Sequence, residues 1–119
     1  MIAVGIGARS GAALSGPVRA ALAGAGIRPG QVGVLATLDR RAAEERVRAL
    51  AEEHGWRLAG FPAADLAAVT VPNPGRAAAA AVGTPSVAEA AALLAAGPGA
   101  VLILPKQVRA GVTVAVAVA

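Results

Sequence analysis

Apolar residues arrive in short blocks separated by glycine- and proline-rich punctuation. Met1 to Ile6, rich in Ile and Val, predicts a first buried strand, and Gln31 to Leu38 (QVGVLATL) predicts a second. Trp56 to Phe61 and Ala67 to Val71 read as two further short strands, and Ala100 to Leu104 (AVLIL) as a fifth. Val112 to Ala119 (VTVAVAVA) closes the chain with strict alternation, which puts valines on one strand face and alanines on the other. The short Pro105 to Gly111 loop before it predicts that the last two strands pair antiparallel.

Helical patterns fill the gaps. Pro17 to Ala25 has Ser15 as a cap, Pro17 in the first turn and Gly26 to end it. Asp39 opens a charged helix to His54, stopped by Gly55; Val47, Leu50 and Ala51 form its buried stripe. Its pairs Arg41/Glu45 and Glu44/Arg48, four apart, support a solvated face. Pro62 to Leu66 reads as a single helical turn, and Ala77 to Val82 as a helix started by Asn73-Pro74. Ser86 and Glu89 have capping-box spacing ahead of a Val87 to Ala96 helix that buries Val87, Ala90, Ala91 and Leu94 and ends at Gly97. Strands alternating with helices predict an α/β fold: a three-layer α/β/α sandwich on a mostly parallel, mixed sheet of about five to six strands with one antiparallel edge. At 119 residues this fits a single domain over 1–119.

Composition narrows the function classes. No apolar run is long enough to cross a bilayer, so no membrane partner is expected. The opening MIAVGIGAR has no basic region ahead of its apolar residues, so the expected location is cytoplasmic. Without cysteine there is no thiol catalysis, disulfide or thiolate metal site. The formal charge of +4 suits an acidic partner. Trp56 and Phe61 are the only aromatics, too few for a stacking platform, so nucleic acid is not the expected partner. A polycarboxylate or phosphate fits better.

Candidate chemistry follows from position. In an open α/β sheet, ligands sit beyond the carboxyl ends of the strands. Residues past the predicted strands are Gly7, Arg9 and Ser10, then Thr37, Asp39 and Arg41, then Asn73 and Arg76, then Lys106. Thr84 and Ser86 precede the capped helix. Glycine turns, small hydroxyls and cations in such places predict an anion cradle. Gly5-Ile6-Gly7-Ala8-Arg9-Ser10-Gly11 partly matches a dinucleotide fingerprint, with Ser10 at its third small position, and a nucleotide-binding module is one alternative. Glu89 and Glu44 are acid–base candidates, and Lys106, the sole lysine, is an electrostatic or nucleophilic one. The structural alternatives are capping for Glu89 and a helix-face ion pair for Glu44. His54, the only histidine, lies in the last helical turn and reads as a surface or capping residue. There is no metal-ligand cluster, Ser/His/Asp set or P-loop.

Several segments together resemble one family. GIGAR, ATLDRRAAE, VPNPGR, VGTPSVAEAAAL, LILPK and GVTVAVA occur in that order along nearly the whole chain. They are similar to the CobE protein of cobalamin (vitamin B12) biosynthesis and the C-terminal domain of CbiG, the cobalt-precorrin-5A hydrolase. The resemblance implies an α/β domain that binds, or acts on, a carboxylate-rich corrin-ring precursor, with no cofactor and with other enzymes of that pathway as potential partners. The positions matching family motifs are Gly5, Gly7, Arg9, Asp39, Glu44, Gly83, Ser86, Glu89, Lys106 and Thr113. Ala8 stands where a cysteine is common, Arg41 where a lysine is usual, and Gly75 where a serine is usual. The resemblance also implies an alternative, a lactone-opening hydrolase using Glu89 or Lys106. Taken together, the expected ligand-binding set is Gly5, Gly7, Arg9, Ser10, Asp39, Arg41, Glu44, Thr84 and Ser86.

Overall fold

The valine and alanine faces of the closing strand decide how the layers stack, because large side chains hold a helix away from a sheet and small ones let it approach. The computed structural model describes residues 1–8, 11–69 and 87–119. In chain order these form β1 (Ile2–Ala8), α1 (Ser15–Gly24), a 3-10 turn (Pro29–Gln31), β2 (Val32–Leu38), α2 (Asp39–Ala42), α3 (Glu45–His54) and β3 (Arg57–Phe61). α4 (Ala63–Ala67), α5 (Val87–Ala96), β4 (Val101–Arg109) and β5 (Val112–Val118) follow. The strand order is β3-β2-β1-β5-β4. β1, β2 and β3 run parallel, while β5 is antiparallel to both β1 and β4. The expected α/β fold on a mixed sheet is present with five strands among the described residues, its neighbour pairs divided evenly between parallel and antiparallel.

One face of the sheet carries the bulky residues. Val4 and Ile6 of β1, Leu35 of β2 and Val112, Val114 and Val116 of β5 pack with Val18 and Leu22 of α1 and with Val47, Leu50 and Ala51 of α3. The other face carries small ones. Ala115 and Ala117 of β5 are fully buried, as are Ala90, Ala91 and Ala92 of α5. α5 packs there so closely that a Cβ on Gly5 would overlap the Ala88 carbonyl oxygen and lie 2.8 Å from the Ala92 nitrogen. Leu66, Ala36, Ala90 and Ala91 form a second cluster beneath it.

Several boundaries differ from expectation for physical reasons. The single helix expected over Asp39–His54 is two helices, because Glu44 is extended (φ −75°, ψ 139°) and serves as the N-cap of α3. α2 seats on β3, where a Cβ on Gly60 would lie 3.0 Å from Asp39 Cα, whereas α3 belongs to the valine-side cluster; packing overrides local helix propensity between them. The pairs Arg41/Glu45 and Glu44/Arg48 are therefore replaced by Arg41–Glu44, Arg46–Glu44 and Arg48–Glu45. The strand expected over 67–71 is not seen in its described part. Ala67 ends α4, whose Leu66 is buried, and the Val69 N–H returns to the Leu66 carbonyl. β4 runs on to Arg109 through Pro105, which an edge strand tolerates at its irregularity between Leu104 and Gln107. Lys106 is thus a strand residue, not a loop residue. Ser15 does not cap α1; its hydroxyl donates to Glu53 on α3. α5 has the expected bounds and ends at Gly97 (φ 105°), but Leu94 is exposed and Leu93 packs inward instead. The expected helix over 77–82 lies outside the described residues.

Gly5→Ala is expected to displace α5 and destabilise the fold by roughly 3 kcal/mol or more in denaturant titration. Gly7→Ala, whose Cβ would meet its nearest neighbour at 3.7 Å, is expected to cost less than about 1 kcal/mol.

Candidate functional site

Three groups of candidate residues are held by different means. The first sits at the carboxyl end of β1. Gly7 pairs with Thr113, and a Cβ on Gly7 would lie 3.7 Å from Val87 Cβ at the start of α5. The alanine face brings the first turn of α5 to this point. Gly5 and Gly7 are both strand residues here, and Gly5 admits a helix backbone; neither forms the phosphate-binding turn that the dinucleotide fingerprint requires.

The second group lies where β2 hands over to α2 and α3. Glu44 accepts from Arg41 Nη1 at 2.7 Å and from Arg46 Nε at 2.8 Å. Arg46 Nη1 also donates to the carbonyl of Ala12, in the connection that follows β1. One carboxylate and two guanidiniums therefore cross-link the carboxyl-end connections of β1 and β2. The hydrogen bonds from Arg41 and Arg46 hold the Glu44 carboxyl below its ordinary value near 4.5. It stays ionised at neutral pH, and the cluster keeps a net positive charge. Asp39 is exposed and accepts from the Arg40 N–H at 2.7 Å. Thr37 is buried, its hydroxyl donating to the Ile6 carbonyl at 2.8 Å, so it ties β2 to β1 rather than facing a ligand.

The third group joins the two catalytic candidates. Glu89 is fully buried in the first turn of α5, and its Oε2 accepts the backbone N–H of Lys106 at 3.1 Å. Lys106 lies in the β4 irregularity, between positions paired with Val116 and Val114. That is level with Ala115 and Gly5, two residues inside the Gly7–Thr113 pair. The carboxylate reaches past β5 and secures a backbone donor that the irregularity takes out of the ladder.

Arg9, Ser10, Thr84 and Ser86 lie outside the described residues, as do Asn73, Gly75, Arg76 and Gly83. His54 is half-buried and stacks on Trp56 with ring centroids 4.4 Å apart. It is a packing partner more than a surface residue. Sequence reading missed Arg46. Its reach to Ala12 depends on the helix break at Glu44, which no glycine or proline announces. Among the described residues, no group of three His, Asp or Glu side chains could hold a metal ion, and no helix is long and apolar enough to cross a membrane.

With this geometry in hand, relatives are informative. The family model described as "Cobalamin synthesis G C-terminus" matches residues 2–117. The chain belongs to that family. Protein CobE of Sinorhizobium sp is 42% identical over 99 residues, which is 82% of this chain and 64% of the relative, so the match spans under two thirds of that protein's length. Among solved structures, CobE, a protein from the cobalamin (vitamin B12) biosynthetic pathway, superposes with a TM-score of 0.84 at 28% identity, covering 98% of this chain and 92% of that one. Cobalamin biosynthesis protein chiG from Agrobacterium tumefaciens str. C58 gives 0.77 at 37% identity, covering 99% and 98%. The present chain is thus of the CobE/CbiG C-terminal type, and its α5–β4 contact and Glu44 cluster are features of a member of that family.

Glu89→Ala leaves the Lys106 N–H without its carboxylate and opens a cavity, so a loss of about 2–4 kcal/mol is expected in chemical denaturation. Glu89→Gln keeps an acceptor and is expected to lose less. For Glu44, the folded-state value is depressed, so its contribution is present above about 4.5 and disappears as pH falls through the lower folded value. The stability gap between wild type and Glu44→Gln is therefore expected to be constant from pH 7 to 5.5 and to close below about pH 4.5. A gap that widens in acid would contradict this assignment.

Proposed function

We propose that residues 1–119 act as one domain in cobalamin biosynthesis, binding a carboxylate-rich corrin-ring precursor at the carboxyl ends of β1 and β2. The observation that carries this reading is the Glu44 cluster. Two guanidiniums share one carboxylate beside the loops where an α/β sheet takes its ligand, with exposed Arg40 on the same short helix. A macrocycle fringed with acetate and propionate groups offers several carboxylates to the net positive charge of such a surface. The likeness to CobE proteins supports a place in the cobalamin pathway, where such precursors are handled. Gly7, Thr113 and the first turn of α5 would border the ring. Arg9, Ser10, Thr84 and Ser86 complete the proposed set from sequence, and Lys106 adds a cation beyond β5.

Binding fits better than hydrolysis. Glu89 has no solvent exposure and already holds a backbone N–H, so acting as acid or base on a bound lactone would require α5 to move. Delivery of the intermediate to another enzyme of the pathway is the simplest use of a domain that binds without turnover.

Cobyrinic acid and its methyl ester are a suitable probe pair for calorimetric titration. The acid is expected to bind and the ester not. Arg41→Gln is expected to weaken binding about tenfold, with a stability change within about 1 kcal/mol. Lys106→Ala retains the N–H that Glu89 holds, so it tests the ammonium alone, and weaker binding is expected there too. Equal binding of acid and ester would defeat the reading, and turnover of a lactone-bearing precorrin by the purified chain would replace it with the hydrolase.

A further inference from the structure

We infer that a groove beside the second half of α1 is a separate binding site for a small apolar molecule bearing two carboxylates. It is an open depression of about 590 Å³, bounded by Arg19, Ala20, Ala23, Ile27, Arg28 and Pro29. α1 leaves the carboxyl end of β1 and returns toward the amino end of β2, so the groove lies at the opposite end of the parallel strands from the Glu44 cluster. It does not depend on the corrin reading.

Charge is the first reason. Arg19 and Arg28 are both exposed, and among the described residues neither forms an ion pair. The lining contains no aspartate or glutamate to balance them. Each of these guanidiniums can grip one carboxylate.

Shape and rigidity are the second. Between the arginines the surface is made of Ala20, Ala23, Ile27 and Pro29, so the body of the ligand should be apolar. One wall is braced from behind. The buried Trp56 donates its indole N–H to the Pro29 carbonyl at 2.9 Å and stacks on His54. The Ile27 N–H donates to the Leu22 carbonyl at 2.9 Å, and the Arg28 N–H to Gln31 Oε1 at 2.9 Å. A wall fixed in advance loses little freedom when a ligand arrives. The volume suits a small molecule rather than a protein surface.

Naphthalene-2,6-dicarboxylate and its diamide, titrated into the whole ¹⁵N-labelled chain, test this directly. The diacid is expected to shift the amides of Ala20, Ala23, Ile27 and Arg28 saturably, while the diamide shifts none of them. Arg19→Gln and Arg28→Gln should each weaken binding about tenfold, and Arg57→Gln should not change it. Both groove arginines are exposed, so these variants should melt as wild type does. The assignment is overturned if diacid and diamide behave alike, if the arginine variants bind unchanged, if shifts map to α2 and α3 instead, or if millimolar diacid causes none.

Discussion

The structure depends on how near α5 comes to the backbone of β1. At Gly5 the Ala88 carbonyl takes the space of a missing side chain, and the alanines of β5 continue the low surface on the neighbouring strand. Helices packed through larger residues stand farther off. Here the approach carries the start of α5 to the end of β1, and it lets a glutamate of ordinary length reach an N–H on β4. Position of the helix, closure of the edge irregularity and shape of the rim are consequences of one small residue.

Charge is arranged around the same scaffold at both ends. At the carboxyl ends of the strands, Glu44 is outnumbered by arginines and holds two connections in register. Around the second half of α1, arginines stand beside apolar surface without acidic neighbours in the lining. Among the described residues, part of the basic excess is therefore gathered in these two local sets.

Local patterns were legible where they coincided with packing. The Val/Ala alternation of β5, the Val87–Ala96 helix and the stripe Val47, Leu50, Ala51 appear as read. The antiparallel pairing of the last two strands does as well. What failed to show was non-local. AAEE at 42–45 reads as continuous helix, and the chain breaks there only because α2 and α3 serve different partners. Glu89 has capping-box spacing, yet one of its oxygens is committed to Lys106, seventeen positions away. Arg46 looked like one more charge on a helix, since nothing nearby in sequence mentions Ala12. The candidate site was visible as residue types, while its wiring was not.

A helix that meets its sheet largely through alanine methyl groups has few teeth with which to lock its position along the strands. For α5, the notch at Gly5 and the tether from Glu89 to Lys106 do that work as two dowels would, one at the centre of the sheet and one at its margin. Slippage along the strands is blocked by the first, and swivelling about it by the second. A domain of this design can therefore fix where the helix begins without interlocking side chains along its length, provided the buried alanines stay small.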